Sequence, residues 1–485
     1  MTAYAVACGT DLAARTGAEI ADAGGNAVDV AVAATFMTWV AEPGMTSVGG
    51  GGFATVWPAD GDPVTIDGFV EMPGRAAPLD RFGHAHPIVM PYGGETHTII
   101  GAASVATPGA LAALEHLARE HGRLPWRRLV EPAAHAAREG FPLPRPSHTY
   151  MTVARDTVFS ATPDVWALAH RPDGTLRDLG EVIHMPDLAQ TLDAIAYDGA
   201  AALYEGEIGR RITDWLETQG GLLGPADLAA YRAVVRPALR LTTNDWTLAT
   251  NPAPAVGGAA LIDLLTRMID PAPSAWDAPT IARFACAMDA TFAARHRMLG
   301  APSTSHTSAV DASGLACSIT TSTGYSSGII VPGTGVLLNN ILGEIELFPG
   351  GLHGARPGAR VRSNMAPSIA RTRRGETIAL GAAGADRITS ALAQVWLHLA
   401  SLGLDLHHAV ASPRCHLEQR AGIMTLAAEP GIDLRDAPYE VRRFDEPHMY
   451  FGGVQAAMRA KDGAMSAVAE PRRGGGVRTS CPPVA

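Results

Sequence analysis

The chain has 485 residues, of which 47% are hydrophobic and 18% charged, and a formal net charge of -10. No basic run gathers enough Lys and Arg to neutralise several phosphates, which excludes a nucleic-acid partner and leaves a small-molecule substrate as the default. That apolar fraction, punctuated by 52 Gly and 35 Pro, excludes extensive disorder and fits either about three domain-sized units or one large layered domain.

The five cysteines, Cys8, Cys286, Cys317, Cys415 and Cys481, are scattered and form no CxxC pair. This is the pattern of reduced thiols in a cytoplasmic protein, not of a disulfide frame or a zinc site. The N-terminus lacks a basic region followed by a long apolar core, and no stretch approaches about eighteen uninterrupted apolar residues, so neither secretion nor a membrane span is expected.

In chain order, apolar spacing predicts a helix over 11–23, stopped by Gly24-Gly25, and a second helix capped by Asn26 and running to about Val40. Gly49-Gly50-Gly51-Gly52 leads into a β-rich run, Phe53 to Trp57, with Val64 to Asp67 as its hairpin partner. The glycine run is no phosphate cradle, since it lacks a following Lys-Ser or Lys-Thr and enters a strand. A helix is expected from Thr107-Pro108-Gly109, with Thr107 as N-cap, to Gly122. Further helical stretches follow through Trp215. Beyond 300 the pattern turns to β, over 307–310, 315–320, 328–331 and 377–380, and helices return over 391–402 and 407–411. Helices around central strands predict an α/β fold built as a four-layer αββα sandwich. Pro471 to Ala485, rich in Arg, Gly and Pro, reads as a loose tail.

The segment Ser303-Thr304-Ser305-His306-Thr307-Ser308 precedes a turn at Ser313-Gly314 and the strand 316–321. Read alone, a hydroxyl before a strand is ordinarily a turn residue. Its company changes that reading. Ala23-Gly24-Gly25-Asn26-Ala27-Val28-Asp29, the four-glycine run with Phe53, Thr107-Pro108-Gly109 and Tyr204-Glu205-Gly206-Glu207 follow one another along the chain. Asp227-Leu228-Ala229-Ala230-Tyr231, Gly257-Gly258, Leu337-Leu338-Asn339-Asn340 and Ser363-Asn364-Met365-Ala366-Pro367 come next. Arg387-Ile388, Pro413-Arg414 and Phe451-Gly452-Gly453-Val454-Gln455 complete the order. In these motifs the chain resembles the γ-glutamyltransferase family of N-terminal-nucleophile hydrolases over almost its whole length, as a divergent member.

The resemblance implies that Thr304 is the nucleophile of a self-processing enzyme that uses no cofactor. Its hydroxyl attacks the carbonyl of Ser303, an N-to-O acyl shift and hydrolysis free its amine, and that amine serves as base for its own Oγ. Residues 1–303 and 304–485 would become a large and a small subunit of one composite fold. Gly384 and Ala385 fall on the family's oxyanion-hole glycine pair, where alanine keeps the N–H but constrains φ. Ser322 falls on the second threonine that steadies the nucleophile.

The glutamate-binding groups are largely replaced. The arginine for the substrate carboxylate falls at Val70, an asparagine at Gly324, the group after the Asn-Asn pair at Ile341 and an aspartate at Glu344. Of two paired serines, Ser363 remains and the other is Asn364. Polar sites discriminate strongly, so these replacements predict an acyl substrate other than ordinary γ-glutamyl compounds. The stretch from Asn340 to Met365 is short, which reduces a lid, and supplies His353, Arg356, Arg360 and Arg362, read as a solvated loop or alternatively as a new carboxylate clamp. The segment from Ala294 through Arg295-His296-Arg297 to Ser303 is also short. His84, His86, His407 and His408 lack zinc spacing, so no metal is expected.

The expected function is therefore hydrolysis or transfer of an acyl group from an amide. The alternatives are carbon–carbon bond hydrolysis for a modified proline-type unit, true γ-glutamyl transfer or glutathione hydrolysis, and a non-catalytic binding protein. The expected partners are a small molecule and the two subunits of one precursor, with a homo-oligomer left open.

Overall fold

A computed structural model describes residues 3–77, 83–91, 95–243, 245–294, 303–345, 351–420 and 422–480. The Thr10 hydroxyl accepts the Ala13 amide and caps the first helix, α1 (Asp11–Asp22). Gly24, at φ 92°, then reverses the chain. As its position predicts, Asn26 caps α2 (Ala27–Ala41), and its own amide donates to Asp29 in return. Every residue of α2 is buried. A helix apolar all round belongs inside, and its one acid, Asp29, also accepts the amides of Arg123 and Leu124.

Two antiparallel sheets form the centre. The first runs Gly476–Thr479, β1 (Tyr4–Cys8), Ser303–Asp311, Ala316–Gly324, β2 (Gly51–Trp57), β3 (Val64–Gly68) and Val234–Pro237. The second runs Met465–Val468, Gly453–Arg459, Thr377–Ala383, Ser368–Thr372, Trp246–Thr250 and Leu239–Thr242. Short side chains let the sheets approach: Ser318 donates to Leu380 O at 3.0 Å, Ser308 to Gln455 O at 3.1 Å and Thr55 to Pro367 O at 2.8 Å, with Ala5, Ala249, Ala316 and Ala379 filling between. Large apolar residues lie on the outer faces. There α1, α2 and α3 (Ala110–His121) cover the first sheet. Gly257–Met268, Ala278–Ala294 and Arg387–Ala400 cover the second. This is the expected four-layer αββα sandwich, in which each sheet buries both faces.

Several expected elements differ. The third helix begins at Ala110 with Gly109 as cap, because Thr107 is bridged to Glu71 and the Gly109 and Ala110 amides donate to Gly50 O. Residues 328–331 form a loop with a single bridge, Ile330 to Leu337, in place of a strand. The tail expected to be loose is ordered up to residue 480: Gly476–Thr479 pairs with β1, and the Arg472 guanidinium is buried between Glu429 and Glu470. Its charges looked solvated because their partners lie elsewhere in the chain. Residues 295–302 of the short segment before Thr304 lie outside the described residues, as do Cys481 and the rest of the tail.

Candidate active site

Thr304 sits near the start of Ser303–Asp311, almost fully buried, and its Oγ1 has no hydrogen-bond partner among the described residues. Ser303 opposes Gly324 and Ser305 opposes Thr321, so Thr304 alone faces two residues, Ser322 and Thr323. That is a β-bulge, a device that re-aims side chains beside active sites. Ser322 Oγ accepts the Gly324 amide at 2.9 Å. Across the next strand a Cβ at Gly50 would lie 2.5 Å from Ser322 O, and one at Gly52 would lie 2.5 Å from Thr320 O. The glycine run is therefore required by close backbone approach.

Side chains 304, 306 and 308 share the face turned to the second sheet. His306 lies against Gly381, and Ser308 bonds the carbonyl of Gln455, which pairs with Gly381. Gly384 and Ala385 form a turn at the end of Thr377–Ala383. Both have positive φ, 130° and 63°. Neither amide donates to any described residue. A Cβ at Gly384 would lie 2.6 Å from the Gly452 backbone, which fixes glycine there. His306 is held by Thr320 Oγ1 at 2.8 Å and Ser308 Oγ at 2.9 Å, and burial pushes its pKa down to about 3. It is a neutral strut, not a base.

Two of the glutamate-type positions, Val70 and Ile341, belong to an apolar wall. Val70 and Ile341 are fully buried with Phe53, Phe69, Leu342, Val361 and Met365. A Cβ at Gly51, which opposes Ser322, would meet Val70 Cγ1 at 2.7 Å. Gly324 adopts φ 70°, and its side-chain space is taken by Asn340 Oδ1 and the buried Glu344 carboxyl. Ser363 Oγ accepts the Met365 amide and its carbonyl accepts those of Val256 and Gly257. Asn364 is buried, and neither its Oδ1 nor its Nδ2 has a partner among the described residues.

Both readings of the 353–362 cations need correction for Arg360. It is neither solvated nor available as a clamp, because it bonds Phe69 O and the Tyr231 hydroxyl, stacks on the Tyr231 ring, and pairs with Asp67 and Glu71 at 3.8 and 3.7 Å. His353 is half-buried against Ala103 O, while Arg356 and Arg362 are exposed. His84 and His86 lie in the first third of the chain, and His407 and His408 on the helix Leu406–Ala411, where His408 pairs with Asp405.

Sequence reasoning missed the groups behind the nucleophile strand. Glu42, the C-cap of α2, is fully buried; burial raises its carboxyl to about 7, against the lowering influence of the Ser305 hydroxyl and of Arg473. The Arg473 Nη2 lies 3.6 Å from where a Gly384 Cβ would be. Asp386, next to the turn, is held by Arg387 and lies 3.4 Å from His416 Nε2. An acid closing an otherwise apolar helix was the one available signal for Glu42.

Fold and site together define an enzyme of the N-terminal-nucleophile hydrolase type. The gamma-glutamyltranspeptidase family model matches residues 13–304 and 300–480. The chain is 30% identical over 472 residues to the Acylase ACY 1 proenzyme of Pseudomonas sp. (strain SE83), covering 86% of this chain and 82% of that protein. It is likewise 30% identical over 477 residues to a glutathione hydrolase proenzyme of Pseudomonas aeruginosa, covering 85% and 82%. In fold it matches the crystal structure of a cephalosporin acylase from Bacillus halodurans, with TM-score 0.79, 24% identity, and 98% of this chain and 96% of that chain covered. The chain belongs to the gamma-glutamyltranspeptidase family.

Proposed function

We propose that the chain cuts itself between Ser303 and Thr304 and that the freed Thr304 removes an acyl group from an amide-type small molecule. The observation that carries this reading is the Thr304 hydroxyl, buried, opposite a bulge and without a hydrogen-bond partner among the described residues, together with a positive-φ turn whose two amides donate to no described residue. A nucleophile needs a lone pair not already engaged, and a tetrahedral oxyanion needs donors fixed in advance. Gly384 and Ala385 are those donors, and Ser322 shapes the bulge that aims the hydroxyl. Val70 and Ile341 line the acyl side, so a γ-glutamyl head, with its carboxylate, is a poor occupant. Relatives named as acylases and as glutathione hydrolases support amide cleavage as the reaction class. Thr304→Ala tests the reading: the variant should fold, remain a single chain and give no acyl-enzyme with a reactive acyl donor. Normal processing or acylation in that variant would remove Thr304 from the mechanism.

A further inference from the structure

The acyl side of the site carries a polar feature that its apolar wall does not explain. Asn364 is 3% exposed, and both polar atoms of its side chain lack partners among the described residues. Exchanging its O and N leaves that conclusion unchanged. A buried amide with both functions unmet is costly, and native structures retain one where something else completes it. Thr107 Oγ1 is also buried and unpartnered, and Thr107 is bridged to Glu71, the neighbour of Val70. The backbone on either side of Asn364 lies at the same wall, since Val361 donates its amide to Val70 O and Met365 packs in the Val70–Ile341 cluster. Val70 in turn packs on Gly51 of β2, two strand spacings or about 10 Å from the strand of Thr304.

We infer that the acyl group taken by this site ends in a neutral carboxamide, which pairs with the side-chain amide of Asn364. This deepens the acyl-transfer reading above and rests on it. Three observations select that chemistry. An anionic end finds no counter-charge on the wall itself, because Val70 and Ile341 are apolar and Arg360 is engaged by Asp67, Glu71 and Tyr231, while Arg356 and Arg362 are exposed. A hydrocarbon end leaves both functions of Asn364 unmet. An ammonium end satisfies Oδ1 alone, whereas a carboxamide offers one acceptor and two donors and completes both atoms.

The test uses matured protein. p-Nitrophenyl acetate, whose acetyl group is too short to reach Asn364, reports acylation of Thr304 by itself. A matched set of p-nitroanilides then varies only the far end of the acyl chain: 4-carbamoylbutanoyl, 4-carboxybutanoyl and 5-methylhexanoyl, each also one methylene shorter. The carboxamide should exceed both counterparts in kcat/KM by about tenfold or more, the size expected from two buried hydrogen bonds. Asn364→Leu should collapse that ratio, and Asn364→Ser should reduce it if the leucine variant does not accumulate. Acetate turnover with a carboxylate or hydrocarbon chain preferred overturns the carboxamide assignment and leaves acyl transfer standing. No acylation of Thr304 by the acetate ester overturns both.

Discussion

Ala385 stands at φ 63°, a conformation that costs an L-residue about 1 to 2 kcal/mol. Its methyl is fully buried, and burying one such group returns about 0.8 kcal/mol. The two terms nearly cancel, so Ala385→Gly should change stability by less than about 1 kcal/mol, read from denaturant unfolding. Gly384→Ala should instead cost at least about 3 kcal/mol, since its Cβ meets backbone and not a side chain that can turn aside. Equal effects from the two would contradict this account of the turn. His306 makes a pH prediction. Its pKa falls from the usual 6.5 to about 3 on burial, so its stabilising contribution is present above 6.5 and is lost as pH drops through that window. From pH 7 to 5 the loss is about 2 kcal/mol, and melting His306→Asn at both pH values should show a correspondingly smaller acid sensitivity. At this scale residue type marked Gly384, which takes φ 130°, but not Ala385, since an alanine does not announce φ 63°, nor Thr304, which read alone is a turn hydroxyl and was singled out by the ordered motifs around it. Arg360 and Thr107 were misread because the groups that hold them, Asp67, Glu71 and Tyr231 for the first and Glu71 for the second, are remote in sequence.

Among the elements, the Asn339-Asn340 pair shows why a motif can be legible in position and illegible in purpose. Asn339 accepts the Ala106 and Ile341 amides and donates to Gly49 O and Ala106 O. Asn340 accepts the Tyr325 amide and donates to Thr98 Oγ1 and Ile99 O. Together they tie the glycine run, the loop after the bulge and the hairpin of β4 (His86–Pro91) and β5 (Glu95–Ile100) into one floor under the acyl wall. Asn339→Ala would strand several buried backbone groups, so it should destabilise the protein by about 3 kcal/mol or more, measured by thermal unfolding. A loss below about 1 kcal/mol would move the pair from scaffold to substrate contact. α1, with its apolar periodicity, and α2, marked by its Asn26 cap, were legible within a residue or two. The edge strand 476–479 was not, because its pairing with β1 joins the two ends of the chain and no local pattern records that.

For the whole molecule, the sandwich explains why one polypeptide can be cut in its middle and stay assembled. The strand Ser303–Asp311 is central in the first sheet, flanked by β1 from the N-terminal segment and Ala316–Gly324 from the C-terminal one. Both segments contribute strands to both sheets, and a cut before Thr304 would sever the chain at the start of a strand without opening the core. The central claim, that Thr304 is freed by the chain itself, is tested most directly by N-terminal sequencing and intact mass of freshly purified protein beside Thr304→Ala. The account predicts two co-purifying polypeptides, residues 1–303 and 304–485, the smaller beginning at Thr304, and a single uncut chain for the variant. A new N-terminus elsewhere, or an uncut native chain that still acylates, would contradict it.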